Sequence, residues 1–206
     1  MHRICTLTIA ALISMALLAA APLQAAGDAE RGSVLADTCL GCHGIKGYRN
    51  AYPNYRVPKL GGQHEDYLVI ALQGYQNDMR EHPTMIAQSD TLTDQEIRDL
   101  AAYFASQGGP MTGEMVTDGN AAAGKEKIAV CTACHGEAGI SHAPNWPNLA
   151  GQHKDYLVHT IKQYRDCGRK DPVMSGQADN LTDQDIKYIA AFYSKQPGLF
   201  TVDYSD

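Results

Sequence analysis

Apolar positions recur along this chain with the period of an α-helix, and they do so in two matching sets. Leu68, Ala71, Leu72 and Tyr75 fall at i, i+3, i+4 and i+7, one stripe of a helix. Leu157, Thr160, Ile161 and Tyr164 have the same spacing, with Thr160 the weak member. A second stripe, Ile97, Leu100, Ala101 and Phe104, is matched by Ile186, Ile189, Ala190 and Tyr193. Thr93-x-x-Glu96 is a capping box that starts the first of these, and Thr182-x-x-Asp185 is its weaker counterpart. A leading helix is expected from about Asp28 into Cys39, and again from about Ala121 into Cys131. No stretch alternates convincingly with period two. The expected fold class is all-α, with about three helices in each set.

The two sets belong to a tandem repeat. The block from Pro58 to Val69 (PKLGGQHEDYLV) matches the block from Pro147 to Val158 (PNLAGQHKDYLV), and Leu92 to Ile97 matches Leu181 to Ile186, all at an offset of 89. Upstream, between Cys39 and Cys131, the offset is 92, so the first unit is three residues longer between His43 and Pro58. Repetition at this scale fixes the architecture as two fused units. The expected division is a unit over 27–106, a linker over 107–118 and a unit over 119–206. The linker carries Gly108-Gly109-Pro110 and Gly113 and lacks helical periodicity. A unit this small has little core of its own.

Composition adds a compartment. With 44% hydrophobic and 19% charged residues among 206, the chain is globular rather than disordered. Residues 1–26 read as a cleaved secretory signal: a short basic start at Met1-His2-Arg3, an apolar core from Ile4 to Leu18, and a small-residue end at Ala25-Ala26. A retained membrane anchor is the less favoured reading, because the apolar run is short. Export implies an oxidising compartment, the periplasm of a Gram-negative cell. The net charge of −6 becomes −7 once Arg3 leaves with the signal. That excludes nucleic acid as the natural partner and favours a basic face on another protein.

The cysteines supply the chemistry. Cys39-Leu40-Gly41-Cys42-His43 and Cys131-Thr132-Ala133-Cys134-His135 are both Cys-x-x-Cys-His, each followed by Gly. Two thiols three apart form thioethers to the vinyl groups of one porphyrin, and the adjacent His lies under the iron, so two covalently bound c-type haems are expected. Zinc fails as an alternative, since each motif lacks a second nearby Cys pair. A redox dithiol would need a βαβ setting. For the sixth iron ligand, Met85 and Met174 stand at the repeat offset, each shortly after a Pro, in the polar stretch between helices where a loop would present a thioether. A Met is ordinarily a core gap-filler; pairing by position favours ligation here. His64 and His153 are also paired but read as structural or helix-start residues. His82 has Asp171 as its counterpart and is disfavoured, and His142 and His159 have no His partner. The carbonyls of Pro58 and Pro147 are candidates to hold the proximal imidazoles. Of six cysteines, Cys5 leaves with the signal and Cys167 is left over. It is read as buried and inert in preference to pairing between chains.

These features together resemble the dihaem cytochrome c4 family, over about Gly27 to Gln196. The resemblance implies two class I cytochrome c domains, two His/Met haems, and haem propionates near the domain interface. It assigns thioethers to Cys39, Cys42, Cys131 and Cys134, and axial ligation to His43 with Met85 and His135 with Met174. Gly32 and Gly124 resemble helix-contact glycines facing aromatics such as Phe104 and Tyr193. It further implies one-electron transfer in the periplasm from a quinol-oxidising complex to a haem-copper terminal oxidase or small redox carrier, with peripheral membrane association compatible. An electron-accepting subunit of a periplasmic dehydrogenase, or a dihaem redox enzyme, is the alternative. The departures are the longer loop of the first unit, with Tyr48, Tyr52 and Tyr55, and Cys167 in place of Asp78.

Overall fold

In the computed structural model, residues 26–115 and 120–203 are described, so the expected signal segment lies almost wholly outside them. The first domain contains α1 (Ala29–Leu35), α2 (Asp37–His43), α3 (Glu65–Gln76), α4 (Pro83–Ser89) and α5 (Asp94–Ser106). The second repeats the order with α6 (Asn120–Lys127), α7 (Thr132–His135), α8 (Lys154–Arg165), α9 (Pro172–Ala178) and α10 (Asp183–Lys195). The fold is helical, and among the described residues extended pairing is confined to isolated bridges. No helix among them is long and apolar enough to cross a membrane.

The helix starts follow local chemistry. Asp28 caps α1 by accepting from the Glu30 and Arg31 amides. Both expected capping boxes form, Thr93 with Glu96 and Thr182 with Asp185. The helices differ from expectation in two places. The leading helix is broken, at Ala36 between α1 and α2 and over 128–131 between α6 and α7. The stretch expected to be a loop around each Met is instead a one-to-two-turn helix, α4 or α9. Pro at the first turn, with φ already set for a helix, and a side-chain cap just before it start each one. Seven residues are too few to show a 3.6-residue period, which is why the pattern missed them.

Terminal helices cross closely within each domain. A Cβ on Gly32 would run into the Asp99 carbonyl and the Tyr103 side chain of α5, and one on Gly124 into the Tyr188 carbonyl and Phe192 of α10. The aromatic neighbours are therefore Tyr103 and Phe192, not Phe104 and Tyr193. Those two sit one position on, in the cores: Phe104 with Leu40, Leu68 and Leu100, and Tyr193 with Ile128, Leu157 and Ile189.

The halves exchange contacts about a pseudo-two-fold axis. Gln63 Nε2 donates to the Asn148 carbonyl and its Oε1 accepts from the Asn148 amide (3.1 and 2.8 Å). Gln152 does the same with the Lys59 carbonyl and amide (3.0 and 2.9 Å). These side chains satisfy buried backbone groups that would each cost about 1–3 kcal/mol if orphaned. The longer loop of the first unit also reaches across. Tyr55 is buried and stacks on His159 with ring centroids 4.1 Å apart, and Arg56 pairs with Asp155 and Glu114. The linker, as far as Met115, is packed rather than loose. The Glu114 amide donates to the Ser194 carbonyl, and its carboxylate accepts from His153 Nδ1 at 2.6 Å. Finally, the segment after α10, expected to belong wholly to the second unit, returns to the first. Phe200 and Val202 lie in the first domain's core.

Candidate haem sites

Each Cys-x-x-Cys-His motif sits on a helix end where its three chemical groups converge. Cys39, Cys42 and His43 lie on α2; Cys131 caps α7, which carries Cys134 and His135. All four cysteines are free thiols, half-buried, and Cys39 and Cys131 pack against the two cores. Burial raises the pKa of both.

The imidazoles are held as the proline carbonyls predict. His43 Nδ1 donates to the Pro58 carbonyl at 2.8 Å, and His135 Nδ1 to the Pro147 carbonyl at 2.9 Å. A carbonyl only accepts, so the proton is on Nδ1 and Nε2 is the nitrogen left for a metal. Burial pulls both imidazole pKa values below the ordinary range, partly offset by these carbonyls. Neutral rings with Nε2 available are what iron ligation needs.

Met85 and Met174 are each three residues into a capped turn. The Met85 amide donates to His82 Nδ1 (3.2 Å) and the Met174 amide to Asp171 Oδ1 (2.9 Å). His82 and Asp171, set aside as ligands because they differ, thus share a capping role. The signal was present in the sequence: both precede Pro and both can accept from an amide. The far ends of these helices are tied down as well. Gln76 Nε2 donates to the Ser89 and Leu92 carbonyls, and its counterpart Arg165 donates to the Leu181 carbonyl.

The remaining histidines and Cys167 fall elsewhere. His64 and His153 stand at the starts of α3 and α8, and neither ring is a candidate ligand in its own domain: His64 Nε2 donates to the Ser141 carbonyl of the other half, and His153 bonds Glu114 of the linker. His142 is exposed. Cys167 is exposed too, at a left-handed φ of 66° that its counterpart Asp78 shares (56°). The reading of Cys167 as buried and inert is overturned: the turn after α8 projects it outward. Arg80 and Arg169 were missed, though both recur at the repeat offset and lie five residues before a Met.

The donor set fits haem c. Paired thiols, an imidazole with one nitrogen already bonded, and a thioether on a pinned turn occur in each domain. Among the described residues no three His, Cys, Asp or Glu side chains gather to hold a bare metal ion.

The interface carries an acid-sensitive set of groups. Burial, with Arg169 and His82 nearby, pushes the His159 pKa down to about 4. Burial works to raise Glu114, but the hydrogen bond from His153 and the charge of Arg56 win and hold it at about 2. The stability His159 contributes is complete above its unfolded value of 6.5 and is lost as pH falls toward 4. That of Glu114 is complete above 4.5 and is lost as pH falls toward 2. Urea midpoints are therefore expected to drop from pH 7 downward, and His159→Phe should flatten the first part of that drop. An unchanged pH slope in the variant would show that His159 is not responsible.

Residues 29–108 match the cytochrome c family, and residues 117–192 match the family described as cytochrome C oxidase, cbb3-type, subunit III. The chain is 35% identical to cytochrome c4 of Pseudomonas aeruginosa over 82% of its own length and 89% of that protein's. It is 29% identical to a thiosulfate dehydrogenase electron acceptor of Thiomonas intermedia, covering 79% of this chain and 80% of that one. The crystal structure of reduced recombinant cytochrome c4 from Pseudomonas stutzeri superposes with a TM-score of 0.71 at 30% identity, covering 83% of this chain and all (100%) of that one. With both haem-attachment motifs in place on two tandem cytochrome c domains, the chain belongs to the cytochrome c4 family and is a protein of two covalently bound c-type haems.

Proposed function

We propose that this dihaem cytochrome carries electrons one at a time in the periplasm, from a quinol-oxidising complex to a haem-copper terminal oxidase or small redox carrier, and is not itself an enzyme. The observation that carries the reading is the matched pair of sites, each offering one fixed imidazole and one thioether on a capped turn. We assign His43 with Met85 and His135 with Met174 as the axial ligands. Bound at these sites, each haem supplies an iron that accepts and returns a single electron. Cys39 with Cys42, and Cys131 with Cys134, hold the two groups covalently. The Pro58 and Pro147 carbonyls fix ring orientation and keep Nε2 free of its proton. Met85 and Met174, on the capped helices α4 and α9, would supply the second strong ligand to each iron. Sites closed on both sides suit electron transfer better than catalysis.

A second reading has one observation in its favour: relatives that accept electrons from thiosulfate dehydrogenase align over most of the chain. The test is a stopped-flow comparison on the full holoprotein, after haem content and spin state are measured. Two low-spin haems per chain, reduced rapidly by a quinol-oxidising complex and reoxidised by terminal oxidase, are expected. Reduction by a thiosulfate dehydrogenase alone would favour the second reading. A single haem, a high-spin ferric form at neutral pH, or turnover of a small substrate would overturn the proposal.

A further inference from the structure

The carboxylate of Asp99 is fully buried on α5, at the point where Gly32 of α1 meets the Asp99 carbonyl. One of its oxygens is well served: Oδ1 accepts from the Asp28 amide and from Gln95 Nε2, both at 2.8 Å. The other, Oδ2, is buried and accepts no hydrogen bond among the described residues. Arg31 Nε stands 3.5 Å from it, on a side chain that is 59% exposed. The chain just before α1 lies along the same part of α5. The Ala26 carbonyl accepts from Gln95 Nε2 at 3.2 Å, and Gly27 packs so closely that a Cβ there would run into the Arg98 carbonyl. In the second domain the same crossing lacks the acid. Gly124 meets the carbonyl of Tyr188, which stands at the repeat position of Asp99.

A buried carboxylate oxygen without a donor is costly, and an exposed guanidinium at that distance is a weak partner. The two domains differ in what precedes their first helix. Before α6 comes a linker, whose backbone carries no charge. Before α1 comes the segment read as a cleaved signal. Water adds across the cut peptide bond: the signal leaves with the carboxylate, and residue 26 or 27 keeps the nitrogen, which takes up a proton to become an ammonium group. That nitrogen lies within two residues of the Asp28 amide, which is already on Oδ1, and one residue spans at most about 3.6 Å. We infer that Asp99 is the seat of the mature chain's α-ammonium group, which signal cleavage creates and Oδ2 receives. The inference rests on the exported chain proposed above. Through Ala36, α1 runs on into α2, the helix of Cys39 and His43. The seat therefore fastens the support of the first haem motif only once the chain has been cut.

The experiment compares four forms of the exported holoprotein: wild type, Asp99→Asn, and each of these with two residues inserted ahead of Ala26. Intact mass is recorded first. A protein that keeps residues 1–25 would overturn the exported reading and the seat together; every other outcome bears on the seat alone. In guanidinium unfolding at pH 7, the insertion is expected to lower the folding constant by about tenfold with Asp99 present, the equivalent of one pKa unit, and by less than about twofold in Asp99→Asn. Equal losses in the two backgrounds would overturn the seat. Limited acetylation, read by mass, reports on the α-amine itself. Pairing favours the ammonium form, so half-maximal acetylation should come at least one unit above the ordinary α-amino value of about 7.7–8.0, and should return to it in Asp99→Asn. The other charged groups about the segment, Asp28 and Arg31 at α1 and Glu96 and Arg98 on α5, are the same in all four forms. An α-amine that titrates normally in the wild type would refute the pairing, whatever the stability shows. Should Asp99→Asn not accumulate, the wild type and its inserted form decide. An insertion that leaves both the stability and the acetylation profile unchanged would refute the seat.

Discussion

Phe200→Ala is expected to destabilise the first domain by about 3–5 kcal/mol, although residue 200 lies beyond the last helix of the second. The ring is 7% exposed and belongs to the cluster of Leu40, Leu68, Leu100 and Phe104. It packs against Gly61 and Gly109, where any added Cβ would meet it. Its amide and carbonyl close a two-bond bridge with Gly61, each 3.2 Å. Truncation would leave a cavity beside the helix that carries Cys39 and His43, walled by backbone that cannot collapse inward. The neighbouring Leu199 is 1% exposed, and its amide bonds the Ala150 carbonyl in the second domain. Leu199→Ala is therefore the matched control, with its loss in the other half. Guanidinium unfolding followed at the haems reads both. A loss below about 1 kcal/mol for Phe200→Ala would show that the C-terminal strap is not part of the first core.

What the sequence made legible was whatever each unit needs for itself. The long helices, both capping boxes, and the His43–Pro58 and His135–Pro147 pairs all follow from residues close in the chain or doubled by the repeat. What it hid was whatever the units need from each other. Gln63 and Gln152 were visible as repeated residues next to a helix start, but repetition alone does not say why a residue recurs. Here it recurs because a two-fold seam uses each side chain once in each direction. Arg80 and Arg169 escaped for the same reason. Phe200 escaped for a different one: a single aromatic beyond the last periodic segment has no partner in the repeat and no stripe to join. The short Met helices fell below the length at which a period can be read, so their caps, not their apolar residues, were the available signal.

Met85→His is expected to lower the midpoint of one haem far more than that of the other. Thioether sulfur is a soft donor that favours ferrous iron, whereas a second imidazole stabilises the ferric form. Axial ligands set haem potentials over roughly 0.8 V, so a ligand swap outweighs any single charge placed at a distance. The substitution leaves the α4 cap intact, because His82 accepts from the backbone amide of residue 85 and not from its side chain. It leaves Met174, Asp171 and His135 untouched in the second domain. Met174→His should reverse the pattern, moving the haem that Met85→His spared. Equal shifts in both haems from Met85→His would show either that residue 85 is not an iron ligand or that the two sites titrate as one.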